Sequence, residues 1–467
     1  MKIKHQKIMR INILLLFFIL NIIQLNAQIK FDYSSTNKIF EKARKENKLI
    51  ILGISSSNCE KCNEHVLNEL SNDSILMILK SNFIITNKNE VPLEITYDSS
   101  LIFSVEKNKG FLCLDNSGNI LSAIAPVKIN RKLFLEFLHR ANVNKTKEIN
   151  LSFYLNEFTA TTKKEFNQIK NLLNIYDEIG LYPSQYLLDL ICETAPEDSA
   201  KSRTFIQYLL KHGPQVNSKA FQYIAQDGEV FNTSWFRMDL KERVAINNLV
   251  FYKSMMVAIE KKDKAYAEAV ANFKASSSNT RSFEAFQRTY DFELLRFYKA
   301  IKDTNMIINW SMKFVESYIV KLNVDSILRI DSLNTLRIKA STHLNQQDVS
   351  SSNVLNWDKE ETAQIAKNSS FYSNILNEAA WTIYVYTKDN FKNNLALKWS
   401  KKSIEFEKNY AVLDTYARLL YRNNKIDEAI TYELEAIKLA KEMKAKTTEF
   451  EQVLQNMNNK AKKIDEY

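Results

Sequence analysis

The second half of this chain contains no residue that readily breaks a helix. Only six glycines and five prolines occur in 467 residues, where ordinary usage gives about 55 of the two together. The shortage is uneven. The last proline is Pro214, the last glycine Gly228 and the last cysteine Cys192, so residues 229–467 hold none of the three. β-Sandwiches and propellers need Gly and Pro at their many turns. A Gly-rich phosphate loop cannot exist in this half either. What remains for such a stretch is helix. With 45% hydrophobic and 11% aromatic residues the chain can bury a large core, which argues against disorder. Four cysteines are too few to staple a disulfide scaffold of this length. The length suggests about two to four domains. The expected fold class is multidomain: an α/β N-terminal unit bearing three of the four cysteines and three of the six glycines, then an all-α region.

Residues 1–27 stand apart. Lys2, Lys4, Lys7 and Arg10 precede an apolar run from Ile11 to Ile23, and Ala27 offers a small residue before Gln28. This is the pattern of a secretory signal peptide, and the run is shorter than the ~20 residues of a membrane span. No cysteine follows Ala27 to carry a lipid anchor, and no later stretch reads as a span. The expected location is therefore exported, periplasmic or extracellular, with no membrane span in the mature chain. Removing the four cations lowers the net charge from +10 to about +6, which does not argue for nucleic acid. An oxidising compartment also permits disulfides.

Residues 28–145 read as the α/β unit. Ile39, Phe40 and Ala43 lie among charges in a short amphipathic helix. Leu49 to Ile54 is an apolar run that reads as a buried strand. A polar loop follows, then Cys59-Glu60-Lys61-Cys62, then Val66, Leu67 and Leu70 at helical spacing. Asn72-Asp73-Ser74 reads as a break and cap before a helix at Ile75–Leu79. Phe83–Ile85 and Phe111–Leu114 are strands, and Asp115-Asn116-Ser117-Gly118 turns into a fourth strand at Ile120–Ile124, giving a hairpin. Arg131 to Arg140 closes the unit with a helix.

This order, with a CxxC between a buried strand and a helix, resembles the secreted thioredoxin-like branch of the thioredoxin superfamily over about a quarter of the chain. The resemblance implies a catalytic pair. Cys59, at a helix N-terminus whose free N–H groups favour a thiolate, would be the nucleophile. Cys62 would resolve the mixed disulfide. Lys61 would favour the thiolate and Glu60 oppose it. The chain departs from the family at two points. Asn58 stands where the family has Trp, and Lys109 stands where the family has a cis-proline facing the thiols. Lys109 would then sit beside the pair and raise the thiolate fraction. The alternative is a structural disulfide in a domain used for packing. Cys59, Cys62 and His65 could supply three metal ligands, but no fourth is evident, so neither metal nor cofactor is expected. Cys113 and Cys192 read as small apolar residues on a strand and a helix; the sequence does not support a bridge between them.

Residues 146–375 show repeated amphipathic helices, among them 166–176, 205–210, 249–259, 283–301 and 306–322. Their connections beyond Gly228 should rely on Asn, Ser and Asp: 276–279, 302–305 and 350–353. Residues 376–467 are more regular. Tyr416-Ala417, Leu420-Tyr421, Ala429 and Ala436 resemble a tetratricopeptide repeat. Ala396 and Ser403 lie 33 residues before Ala429 and Ala436, as a second copy would place them. A capping helix is expected in Thr447–Tyr467. Such an array makes a concave surface for a protein partner or client. Two functions remain open: thiol–disulfide exchange at Cys59 and Cys62 with client binding on the helices, or a non-enzymatic binding scaffold.

Overall fold

The computed structural model describes residues 29, 31–54, 66–67, 70, 73–88, 110–124, 130–149, 151–277, 282–347, 367–461 and 464. The segment 1–27, Cys59 to Cys62, His65, Lys109 and residues 350–353 lie outside them. The described residues form four strands and nineteen helices. They divide into two compact units, Met1–Lys253 and Ser254–Tyr467.

In the first unit, strands β1 (Leu49–Ile54), β2 (Phe83–Lys88), β3 (Gly110–Leu114) and β4 (Ile120–Ile124) make one mixed sheet in the order β2-β1-β3-β4. β1 and β2 are parallel, so the chain crosses over between them and returns through helix α2 (Asp73–Asn82). β3 is antiparallel to both β1 and β4. Every residue of β1, β3 and β4 is buried. That explains why β1 reads as an unbroken apolar run: a strand covered on both faces loses the polar alternation of a half-exposed one. Ile51, Ile85 and Cys113 share one face by register. They form a core with Ile75 and Leu79 of α2 and with Phe134, Phe137, Leu138 and Ala141 of α3 (Arg131–Thr146). Helix α1 (Thr36–Glu46) buries Ile39, Phe40 and Ala43. In the β3–β4 turn Asp115 Oδ1 accepts from the Ser117 and Asn119 amides, and Gly118 takes φ 93°, a conformation open chiefly to glycine.

The rest of this unit is helical: α4 (Leu151–Ala160), α5 (Phe166–Ile179), α6 (Gln185–Thr194), α7 (Arg203–Lys211), α8 (Lys219–Ala225), α9 (Gly228–Arg237) and α10 (Leu240–Lys261). Asn144, buried on α3, ties these helices to the sheet. Its Nδ2 donates at 2.7 Å both to the Leu121 carbonyl of β4 and to the Glu178 carbonyl of α5. The division between the units falls inside α10.

The second unit continues with α11 (Lys264–Ser277), α12 (Phe283–Ile301), α13 (Thr304–Phe314), α14 (Val324–Gln347), α15 (Asn368–Tyr386), α16 (Asn390–Phe406), α17 (Tyr410–Arg422), α18 (Ile426–Glu442) and α19 (Thr448–Asn458). Between α13 and α14 lies a π-helical turn, Val315–Ile319. Lys402 of α16 donates to the Val320 and Leu322 carbonyls just beyond it. The small residues expected at close helix approaches are fully buried: Ala396 and Ala429, Ser403 and Ala436, with Ala417. Ser403 also exchanges hydrogen bonds with Ser373 of α15.

The glycine-free connections differ in part from expectation. Asp303, Asp389 and Asn409 do cap the helices that follow, each accepting a backbone N–H on its side chain. The left-handed positions that end helices, however, are held by Lys262, Lys302, Lys444 and Lys460 as well as Asn424. At Lys262-Asp263 and Lys302-Asp303 the two roles abut. The lysine turns left-handed, the next amide closes onto the Ala258 or Tyr298 carbonyl, and the aspartate caps the following helix. A lysine there opposes the negative end of the helix dipole, which offsets part of the roughly 1–2 kcal/mol cost of the left-handed conformation.

Candidate functional site

None of Cys59, Lys61, Cys62 and Lys109 lies among the described residues; the strands that lead to and from them do. Ile54, where β1 ends and the chain departs toward Cys59, pairs with Gly110, the residue immediately after Lys109. Ile54 also pairs with Lys88 at the end of β2, and Phe111 with Ile124 at the end of β4. The two backbone points flanking the predicted pair and its predicted lysine are thus neighbours at one end of the sheet. It is the carboxyl end of the parallel strands, where open α/β sheets place their sites. The two described cysteines are both buried and unbridged. Burial pushes the Cys113 thiol far up and the Cys192 thiol to about 12, so neither is a nucleophile. Among the described residues no group of His, Cys, Asp and Glu could hold a metal, and no helix is long and apolar enough to cross a membrane.

A second arrangement was not legible in the sequence. A cavity of about 390 Å³ opens where β4, α3, α5 and α7 meet. Gly180 ends α5 with φ 85°, and the half-buried Arg140 of α3 lies directly over it. A Cβ at Gly180 would stand 2.7 Å from Arg140 Cζ and 2.9 Å from the Ala123 carbonyl oxygen. Glycine is required here twice, for its φ and for the room it leaves the guanidinium. Arg140 makes no ion pair or hydrogen bond with a described residue, and burial lowers its pKa.

His212, 5% exposed and also on the cavity wall, lies with Nε2 3.5 Å from Asp177 Oδ1. Burial drives His212 down to about 3, reinforced by Lys253, and raises Asp177 to about 6 against the pull of Lys211. Desolvation therefore favours the neutral form of both. The His212 ring stands edge-on to Tyr208 at 4.6 Å. Behind it the fully buried Lys253 donates to the Pro183 and His212 carbonyls at 3.1 and 3.0 Å, and burial lowers it to about 7. Residues 140, 177 and the 208/212 pair come from three separate helices and share no motif. The one local signal was Gly180, which reads simply as a helix stop.

In the second unit one cluster of buried charged residues surrounds Arg418. Its Nε donates to Asp414 Oδ1 at 2.8 Å, Nη2 lies 3.2 Å from Glu449, and the guanidinium stands 5.3 Å from the Trp381 ring. Glu433, fully buried beside them, is raised by desolvation first and by Asp414 second, so it holds its proton. No family model, curated protein or solved structure matches the chain.

Proposed function

We propose that this chain is an exported thioredoxin-like protein that carries out thiol–disulfide exchange through Cys59 and Cys62, with its tetratricopeptide-like helical region binding a protein client. The observation that carries the reading is the register of Ile54 opposite Gly110. With it, the loop toward Cys59 leaves the sheet beside the strand that Lys109 enters. The helix–strand–crossover–strand–hairpin–helix order of the first unit supports the same reading, as do the buried small residues repeated at 33-residue spacing in the second.

The chemistry balances within the pair. The Cys59 thiolate attacks a client disulfide, forming a mixed disulfide and releasing one client thiolate, which takes a proton. Cys62, as thiolate, then attacks the Cys59 sulfur and expels the second client thiolate. The client gains two electrons and two protons, and the Cys59–Cys62 pair is left oxidised. The test is turnover of a disulfide substrate by the wild type and by Cys59→Ser. Equal rates would rule exchange out. They would leave the second reading, a binding scaffold, which the extent of paired helices in the second unit favours; it expects Cys59→Ser to bind the same partner as the wild type.

A further inference from the structure

We propose that the cavity at β4, α3, α5 and α7 binds a small organic molecule carrying a single carboxylate on an apolar body, the carboxylate being taken by Arg140. The guanidinium lies on the cavity wall over Gly180. Gly180 leaves it room that any side chain would take away, and the half-buried guanidinium makes no hydrogen bond or ion pair with a described residue, Glu136 one turn back acting on it only through its charge. A desolvated guanidinium with unfilled donors can take a further acceptor, and a carboxylate fits their planar fork. Space-filling limits the ligand. About 390 Å³ falls within the range of small-molecule sites, and Ile124, Leu133 and Leu181 supply an apolar wall.

Charge limits it further. Lys211, the other cation on the wall, is already paired with Glu242 at 3.1 Å. Asp177, also on the cavity wall and raised only to about 6, is ionised at neutral pH and would repel a second negative group, so a monocarboxylate fits and a dianion does not. Asp177 can instead accept from a hydroxyl at the ligand's far end. None of this depends on Cys59 or Cys62, so the proposal stands or falls apart from the redox reading.

The experiment is calorimetric titration of the full chain with phenylacetate, 4-hydroxyphenylacetate, phenylethylamine, succinate and inorganic phosphate. Phenylacetate should bind with a dissociation constant below about 1 mM. The hydroxyl compound should bind at least as tightly, and the amine, succinate and phosphate more weakly. Arg140→Gln should weaken phenylacetate at least about tenfold, as loss of one charge-assisted pair implies. Leu133 is 40% exposed at the rim, so Leu133→Trp can fold normally and should block entry. It keeps the test decisive if the arginine variant does not fold. Absence of saturable phenylacetate binding overturns the proposal. So does undiminished binding in either folded variant, and so does phosphate or succinate binding as tightly as phenylacetate.

Discussion

Replacing Arg418 with methionine should show how charge is balanced inside the helical array. Arg418 is 1% exposed, and its principal partner, Asp414, is 6% exposed and bonded to it at 2.8 Å. Glu433 beside them is neutral, for burial and Asp414 both raise it. Glu449 is 72% exposed and loses nothing to speak of when the guanidinium goes. The variant therefore leaves the buried Asp414 carboxylate without its cation, a change that costs about 3–5 kcal/mol. The thioether keeps most of the aliphatic packing, so the loss is chiefly electrostatic. A unit spanning Ser254–Tyr467 loses roughly 2–4 °C in Tm per kcal/mol, which predicts a fall of roughly 6–20 °C at neutral pH. Replacing Asp414 with leucine as well removes the stranded charge and should restore at least half of the loss. Acidification lets Asp414 take a proton, so the single variant's deficit should shrink at low pH. Differential scanning calorimetry of wild type, single and double variants reads all three effects. A Tm shift of less than about 2 °C in the single variant, or equal deficits in single and double, would refute the reasoning.

Three other perturbations test the first unit and the turns. His212 has a folded pKa of about 3, below its ordinary 6.5; the unfolded chain therefore binds the extra proton, and stability is lost as pH falls through that window. The loss reaches about 3 kcal/mol by pH ~4.5, and urea melts of His212→Gln should lack it relative to wild type; parallel pH profiles would contradict this. Asn144→Leu removes both donors to the Leu121 and Glu178 carbonyls and should cost about 2–3 kcal/mol in chemical denaturation, whereas a loss under about 0.5 kcal/mol would mean the carbonyls find other partners. Lys302→Gly relieves a left-handed side chain at φ 58° and should stabilise by about 0.5–1 kcal/mol; destabilisation would show that the lysine contributes more through the helix end than it costs in backbone strain.

Much of the architecture could be read from local pattern because local physics decides it. Leu49–Ile54 is a strand in the sequence and in the structure, since an apolar run of that length between charge and polar loop has few other uses. The Asp115–Gly118 turn and the buried alanines of the array were legible for the same reason: each answers a constraint carried by its immediate neighbours. The helix after the hairpin was read as ending at Arg140 and runs on to Thr146. The extension matters because it carries Asn144 and its two carbonyl partners. The lysines at helix ends were missed because a left-handed lysine is a poor conformer that only the demand for a short connection imposes. In retrospect the Lys-Asp pairs at 262–263 and 302–303 mark those connections.

The absence of glycine, proline and cysteine beyond residue 228 was enough by itself to determine that the second half is helical. Any turn there must come from capping side chains and an occasional unfavourable φ. Hydrophobic spacing likewise determined which face of most helices is buried. Tertiary structure alone decided which distant groups meet. Arg140 lies over Gly180, His212 faces Asp177 and Arg418 sits among Asp414, Glu433 and Glu449. Burial is a property of the packed whole, so no window of sequence can announce that a histidine is desolvated or that an arginine's donors go unfilled. The helix periodicity comes from a few consecutive residues; the chemistry of these clusters comes from the exclusion of water by all of them together.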